Sequence, residues 1–146
     1  MSKPQFVYVI YIGSTVDRVW NALIDPEMTR EYWRHRNLSD WKTGSRWMHQ
    51  RADDSGINDV VGTVIESSAP HRLVVSWVPP ADEGNANRTS RVTYEIEPFM
   101  DSVVRLTVTH EELDSEMLQS VSFGWPLVMS ALKSLLETGK IGRSAA

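Results

Sequence analysis

The first patterned stretch, FVYVIYI at Phe6–Ile12, carries β-branched and aromatic residues at both parities. This predicts a strand covered on both faces or lying centrally in a sheet. Gly13 ends it. Ser14 or Thr15 can cap a helix, because VDRVWNALID repeats apolar residues at Val16, Val19, Trp20, Leu23 and Ile24, the spacing of an amphipathic helix of about two to three turns. Asp25 and Pro26 interrupt that helix. Asp is a good cap and Pro is tolerated in a first turn, so a second short helix, PEMTREYWRHR at 26–36, is predicted directly after it.

From Gly44 onward the period changes to that of strands: SRWMHQR, DVVGTVIESS, HRLVVSWV, SRVTYEIEP and SVVRLTVTHEE. Turn-forming residues separate them at Asp53-Asp54-Ser55-Gly56, Ala69-Pro70, the ADEGNAN stretch and Pro98 to Asp101. Alternation is cleanest in the last two. Val92, Tyr94 and Ile96 oppose Arg91, Thr93, Glu95 and Glu97, and Val104, Leu106, Val108 and His110 oppose Arg105, Thr107 and Thr109.

A long helix is predicted from Asp114 or Ser115 to Thr138, with an apolar stripe at Leu118, Val121, Trp125, Val128, Leu132 and Leu135 and Gly139 as its stop. The order is strand, two helices, five strands, helix. Short turns between consecutive strands imply an antiparallel meander of six strands in an α+β domain, and the terminal helix is the element long enough to cover its dry face. The whole chain, 1–146, reads as one domain, with an ordered core over about 5–140 and a disordered GRSAA tail at 142–146.

One segment of the last helix conflicts with helix chemistry. Pro126 lacks the N–H that would bond to Ser122, and Gly124 costs about 1 kcal/mol relative to alanine in a helix interior. A bend or restart is expected, with Phe123-Gly124 as a hinge and Trp125 swung toward the open end of whatever cavity the helix covers. Trp125 as plain core filling predicts the same bend, so empty volume has to discriminate.

Composition narrows the function classes. A formal charge of -4 and a pI near 5.5 leave no basic excess of the kind that tracks nucleic acid. Without cysteine there is no disulfide, no thiolate nucleophile and no usual structural zinc site, which fits a reducing, cytoplasmic setting. The N-terminal apolar run is too short and too bulky at its end for an export signal, and no stretch approaches the ~18 apolar residues of a membrane span.

VDRVWNALIDPEMTREYW, GTVIESSAPHRLVVSWVPP, VRLTVTHEEL and GWPLVMSALKSLLETG, in this register, resemble the C-terminal-like domain of activators of the heat-shock protein 90 ATPase, a START-like family with the birch-allergen helix-grip fold. The resemblance spans residues 5 to 140. It implies a curved antiparallel sheet wrapped around the long C-terminal helix in the order β-α-α-β5-α. It further implies an internal cavity between sheet and helix, often suited to an apolar ligand. Two departures stand out. Such proteins usually carry paired glycines where this chain has Thr43-Gly44-Ser45, and the chaperone activators have an additional N-terminal domain for which this chain has no room.

Six tryptophans, at 20, 33, 41, 47, 77 and 125, suit the walls of an apolar pocket as well as a solid aromatic core. If Tyr94, Leu106 and Val108 face the helix, their neighbours in such a pocket are Trp47, Trp77, Trp125, Met129 and Leu132. His110 continues the dry parity of its strand and His49 shares parity with Trp47, so both are candidates for a ligand's polar group or for proton transfer. Which parity of the early strands points inward stays open. HEE at 110–112 is not HExxH, no Gly-rich phosphate loop or GxSxG turn occurs, and His35, His49, His71 and His110 show no metal-ligand spacing. REYWRHR at 30–36 mixes arginine with aromatics but at helical spacing also fits a solvated face.

Three functions are compatible with these features. The first is non-enzymatic binding of a small hydrophobic or aromatic molecule, as a carrier or stress-related sensor, with no cofactor and no metal. The second is a chaperone-binding module exposing an apolar patch around Trp41 or Pro79-Pro80. The third is a cyclase- or hydrolase-like enzyme using His49 or His110. Neither nucleic acid nor a membrane is expected as partner, and the assembly is monomer or homodimer.

Overall fold

The computed structural model describes residues 3–141; the tail at 142–146 lies outside them. Strand β1 (Phe6–Ile12) leads into helix α1 (Val16–Ile24), whose cap is Thr15: its Oγ1 accepts the Arg18 N–H at 3.2 Å. Asp25 closes α1 through its own N–H to Asn21 O and opens α2 (Pro26–Trp33) through Oδ1, which accepts the Glu27 N–H at 2.9 Å. The Tyr32 hydroxyl donates to Ala22 O at 2.8 Å and locks the helix pair.

The predicted helix at 26–36 is shorter than expected. Arg34 turns left-handed (φ 56°) and ends α2, and His35–Leu38 forms a strand, β2, paired with β3 (Arg46–Arg51). The sheet therefore has seven strands rather than six. HRNL has neither the alternation nor the β-branched residues that announce a strand, so its state is set by its pairing partner.

The remaining elements are β4 (Asn58–Ser68), β5 (Arg72–Trp77), β6 (Ser90–Met100), β7 (Val103–Glu111) and α3 (Ser115–Thr138). The antiparallel order is β1-β7-β6-β5-β4-β3-β2, so α1 and α2 connect the two edges of a curled sheet and α3 lies in its grip. Register shifts at His49/Gln50, Val64/Glu66 and Pro98/Met100 supply local bends. A Cβ on Gly62 would overlap the Ser76 carbonyl oxygen and crowd the Trp47 indole, whose N–H donates to that oxygen at 2.8 Å. The missing side chain lets β4 pass beneath the tryptophan.

Parity follows expectation in β6 and β7, with Val92, Tyr94, Ile96, Val104, Leu106, Val108 and His110 all buried. In β3, Trp47 and His49 point inward, which settles the parity left open by the sequence. Strand β1 departs from expectation. It is an edge strand, and Val7, Val9 and Tyr11 are exposed on its outer face. Helix α3 is continuous through Phe123-Gly124 with Pro126 inside it, so of the expected bend or restart the restart does not occur, and Gly139 (φ 79°) ends it as predicted. Its buried stripe is Trp125, Met129, Leu132, Leu135 and Leu136, while Leu118, Val121 and Val128 are only half-buried. At the turn before β3, the single Gly44 (φ 93°) supplies the one position that needs glycine.

Candidate functional site: an aromatic slot under the terminal helix

Five elements send aromatic rings to one place. Trp33 ends α2, Trp47 and His49 come from β3, Trp77 from β5, His110 from β7 and Trp125 from α3. The rings touch in series: Trp33 to Trp125 at 5.4 Å between centroids, Trp77 to Trp125 at 5.7 Å, Trp47 to Trp77 at 5.6 Å, Trp77 to His110 at 5.2 Å and Trp33 to His49 at 4.7 Å. Most of these pairs are tilted or edge-on, the arrangement the ring quadrupole favours.

What remains open is a cavity of about 150 Å3 bordered by Trp33, Trp77, Ser120, Val121, Gly124, Trp125 and Val128. A Cβ on Gly124 would meet nothing within 4 Å, so the glycine faces open space at this slot. An apolar cavity of roughly 150 Å3 accepts one benzene-sized ring. Of the residues nominated from sequence, Trp77 and Trp125 border the slot, and Trp47, His49 and His110 lie against its walls. Tyr94, Leu106, Val108, Met129 and Leu132 belong to the packed core. Trp33, Gly124, Val121 and Val128 were not nominated. Trp33 was legible only as one of six tryptophans suited to pocket walls or core, because its position in the slot depends on where α2 stops.

The histidines are held by hydrogen bonds whose direction can be worked out. Trp125 Nε1–H has no choice but to donate, so it donates to His110 Nδ1 at 3.1 Å, and His110 Nε2 must carry the ring proton toward Ser90 Oγ at 2.8 Å. Ser90 in turn donates to Trp77 O at 3.1 Å. Both nitrogens of His110 are thereby occupied, and burial pushes its pKa down to about 3. As placed, His110 fixes the orientation of Trp125 and has no nitrogen free for proton transfer.

His49 Nδ1 donates to Asn37 Oδ1 at 2.6 Å. Burial, reinforced by the neighbouring His35, lowers its pKa to about 3, so it too is neutral at physiological pH. Its ring stacks on His35 at 3.9 Å between centroids. His35 meets two pure acceptors, Trp33 O and Asp59 Oδ2, each at 2.9 Å, and only a ring with hydrogen on both nitrogens satisfies both. Hydrogen bonds from Arg51 first, and from His35, hold the Asp59 carboxyl down at about 2. Among the described residues no three His, Cys, Asp or Glu side chains form a metal-binding group.

The indole N–H groups of Trp41, Trp47 and Trp125 all have acceptors, at Ile24 O, Ser76 O and His110. Those of Trp33 and Trp77, both at the slot, make no hydrogen bond to the described residues. Trp41 is half-buried, its indole packed against Trp47, so the expected apolar patch is not centred there. The exposed large apolar side chains include Phe123 (77% exposed) and Leu127 (69%) on the outer face of α3.

Solved structures share this architecture. The crystal structure of CalU16 from Micromonospora echinospora superposes with a TM-score of 0.75 at 21% identity, covering 92% of this chain and 77% of that one. An HSP90 activator from Plasmodium falciparum gives 0.74 at 20% identity over 90% of this chain and 95% of that one. The Aha1 dimer from Colwellia psychrerythraea gives 0.75 at 15% identity over 94% and 98%. At these identities the likeness establishes the α+β helix-grip fold. No curated protein matches the chain by sequence, and no described helix is long and apolar enough to cross a membrane. The profile of the "Activator of Hsp90 ATPase homolog 1-like protein" family matches residues 14–137, and with the fold in agreement over that span the chain belongs to this family.

Proposed function

We propose that the protein binds a small, flat, apolar molecule of about one aromatic ring in the slot beneath the first half of α3, without chemical conversion. The observation that carries this reading is the open cavity of about 150 Å3 at Gly124, walled by three tryptophans. Aromatic walls favour stacking or edge contact with a flat ring. The free indole N–H groups of Trp33 and Trp77 favour a ring that carries a hydrogen-bond acceptor. His110 is neutral with both ring nitrogens engaged, and burial keeps His49 neutral with its Nδ1 bonded to Asn37, which supports binding over acid–base chemistry.

The test is thermal denaturation with benzene, phenol, indole and an alkane of equal volume. Saturation at 100 times the dissociation constant adds about 2.7 kcal/mol of stability by linkage. Gly124→Leu places a side chain in the slot and removes that gain while leaving the rest of the core untouched. If no ring compound raises the melting temperature of the native chain, or if the leucine variant responds equally, the slot is not the site.

A chaperone-binding function is the second reading. It is supported by Phe123 and Leu127, an exposed i, i+4 pair on α3, and by the structural likeness to an HSP90 activator. Phe123→Glu with Leu127→Glu abolishes retention of a purified heat-shock protein 90 on this reading. Unchanged retention, or none by the native protein, argues against it.

A further inference from the structure

A second cavity, of about 560 Å3, opens where α2 ends and β3 runs out, and its character is opposite to that of the aromatic slot. Arg30, Arg34, His35 and Arg51 line it, with Asp53 and Asp59 as its acidic members. Arginines from α2, from the α2–β2 junction and from β3 line this open cleft, on a chain whose net charge is -4. Three arginines face two aspartates in the lining, and Glu27 pairs with Arg30 at its margin.

The donors are unevenly engaged. Arg51 turns Nε and Nη2 toward Asp59, leaving Nη1 without an ionic partner among the described residues. Arg30 commits Nε to Glu27 at 3.1 Å. Arg34 makes no side-chain hydrogen bond or ion pair to any described residue. Its backbone is nonetheless left-handed, a conformation that glycine or asparagine would adopt at lower cost at a helix end. Helix termination would be served better by glycine, so termination does not account for the arginine.

We propose that this cleft is an anion site for a small phosphomonoester, with Arg34 as its principal free fork and Arg30 and Arg51 closing on the remaining oxygens. Guanidinium forks bind carboxylate and phosphate alike, but a carboxylate has only two oxygens and is filled by one fork. The free fork of Arg34, joined by the Nη groups of Arg30 and Nη1 of Arg51, offers donors from three elements, more than the two oxygens of a carboxylate use and enough for the three terminal oxygens of a phosphate. The cleft volume leaves room for the organic body of the ligand. Asp53 at the cleft and the neighbouring Asp54 disfavour an extended polyanion, which separates this site from a nucleic-acid track.

The site is independent of the aromatic slot and stands or falls separately. Calorimetric titration of the full chain with inorganic phosphate, phenyl phosphate and benzoate, at low and raised salt, tests it. Saturable binding of both phosphates, weaker binding of benzoate and weakening by salt are expected. Arg34→Gly removes the fork while giving the backbone the residue its φ favours. Phosphate affinity should fall at least ~10-fold, the scale of one lost charge-assisted pair, with the melting temperature unchanged or raised. Arg30→Gln should weaken binding in the same direction. Asp53→Asn should strengthen it. No saturable phosphate binding overturns the proposal, as does an Arg34→Gly variant that binds like the native chain or a preference for benzoate over phenyl phosphate.

Discussion

At the scale of single residues, two positions show how one atom's placement sets a larger arrangement. Gly62 has to be glycine because any Cβ would overlap the Ser76 carbonyl that the Trp47 indole also needs. Gly62→Ala is expected to destabilise the fold by ~3 kcal/mol or more, since a backbone carbonyl and a buried indole must both shift. Chemical denaturation measures this. Trp125→Phe keeps most of the ring but withdraws the N–H from His110 Nδ1, stranding a buried acceptor. A loss of about 1–3 kcal/mol beyond the packing change is expected. A double-mutant cycle with His110 isolates that share, and a coupling near zero would show that the bond contributes nothing.

At the scale of elements, the two halves of α3 differ. From Ser115 to Gly124 no side chain is fully buried, whereas Trp125, Met129, Leu132, Leu135 and Leu136 anchor the rest. Hydrogen exchange should be faster over 115–124 than over 127–138, because local opening of the first half exposes little apolar surface. Equal protection across the helix would contradict this. Gly124→Ala should raise stability by up to about 1 kcal/mol, since the Cβ meets open space and alanine is the better helix former. The glycine would then reflect access to the slot and not any demand of the helix. The first half of α3 was legible in sequence as an anomaly, through Gly124 and Pro126; of the expected bend or restart, the helix does not restart. One missing bond at Ser122 is tolerated in a helix held by five buried residues beyond it.

At the scale of the whole molecule, the buried histidines tie stability to pH. His49 and His110 have folded pKa values near 3, against about 6.5 for an unfolded histidine. The unfolded chain therefore binds protons that the folded chain refuses between those two values. Stability is complete above about pH 6.5 and falls as pH drops toward 3, by up to ~1.4 kcal/mol per pH unit for each histidine. Urea unfolding across pH 7 to 4 measures the slope. His110→Gln should reduce it, and a flat profile in the native chain would mean that the histidines protonate without unfolding.

The sequence by itself determined the fold class, the two capped helices, the parity of β6 and β7 and the end of α3 at Gly139. Each of these is encoded by contacts within a few residues or by a period shorter than the element. Tertiary structure alone decided that HRNL becomes a strand, that β1 lies at an edge with Val7 and Val9 exposed, and that Trp33, Trp77 and Trp125 leave a slot at Gly124 while Tyr94, Leu106, Val108, Met129 and Leu132 fill core. Those outcomes depend on which distant strand is adjacent and on how rigid rings from five elements fit together. Local pattern carries no information about a space defined only by what surrounds it.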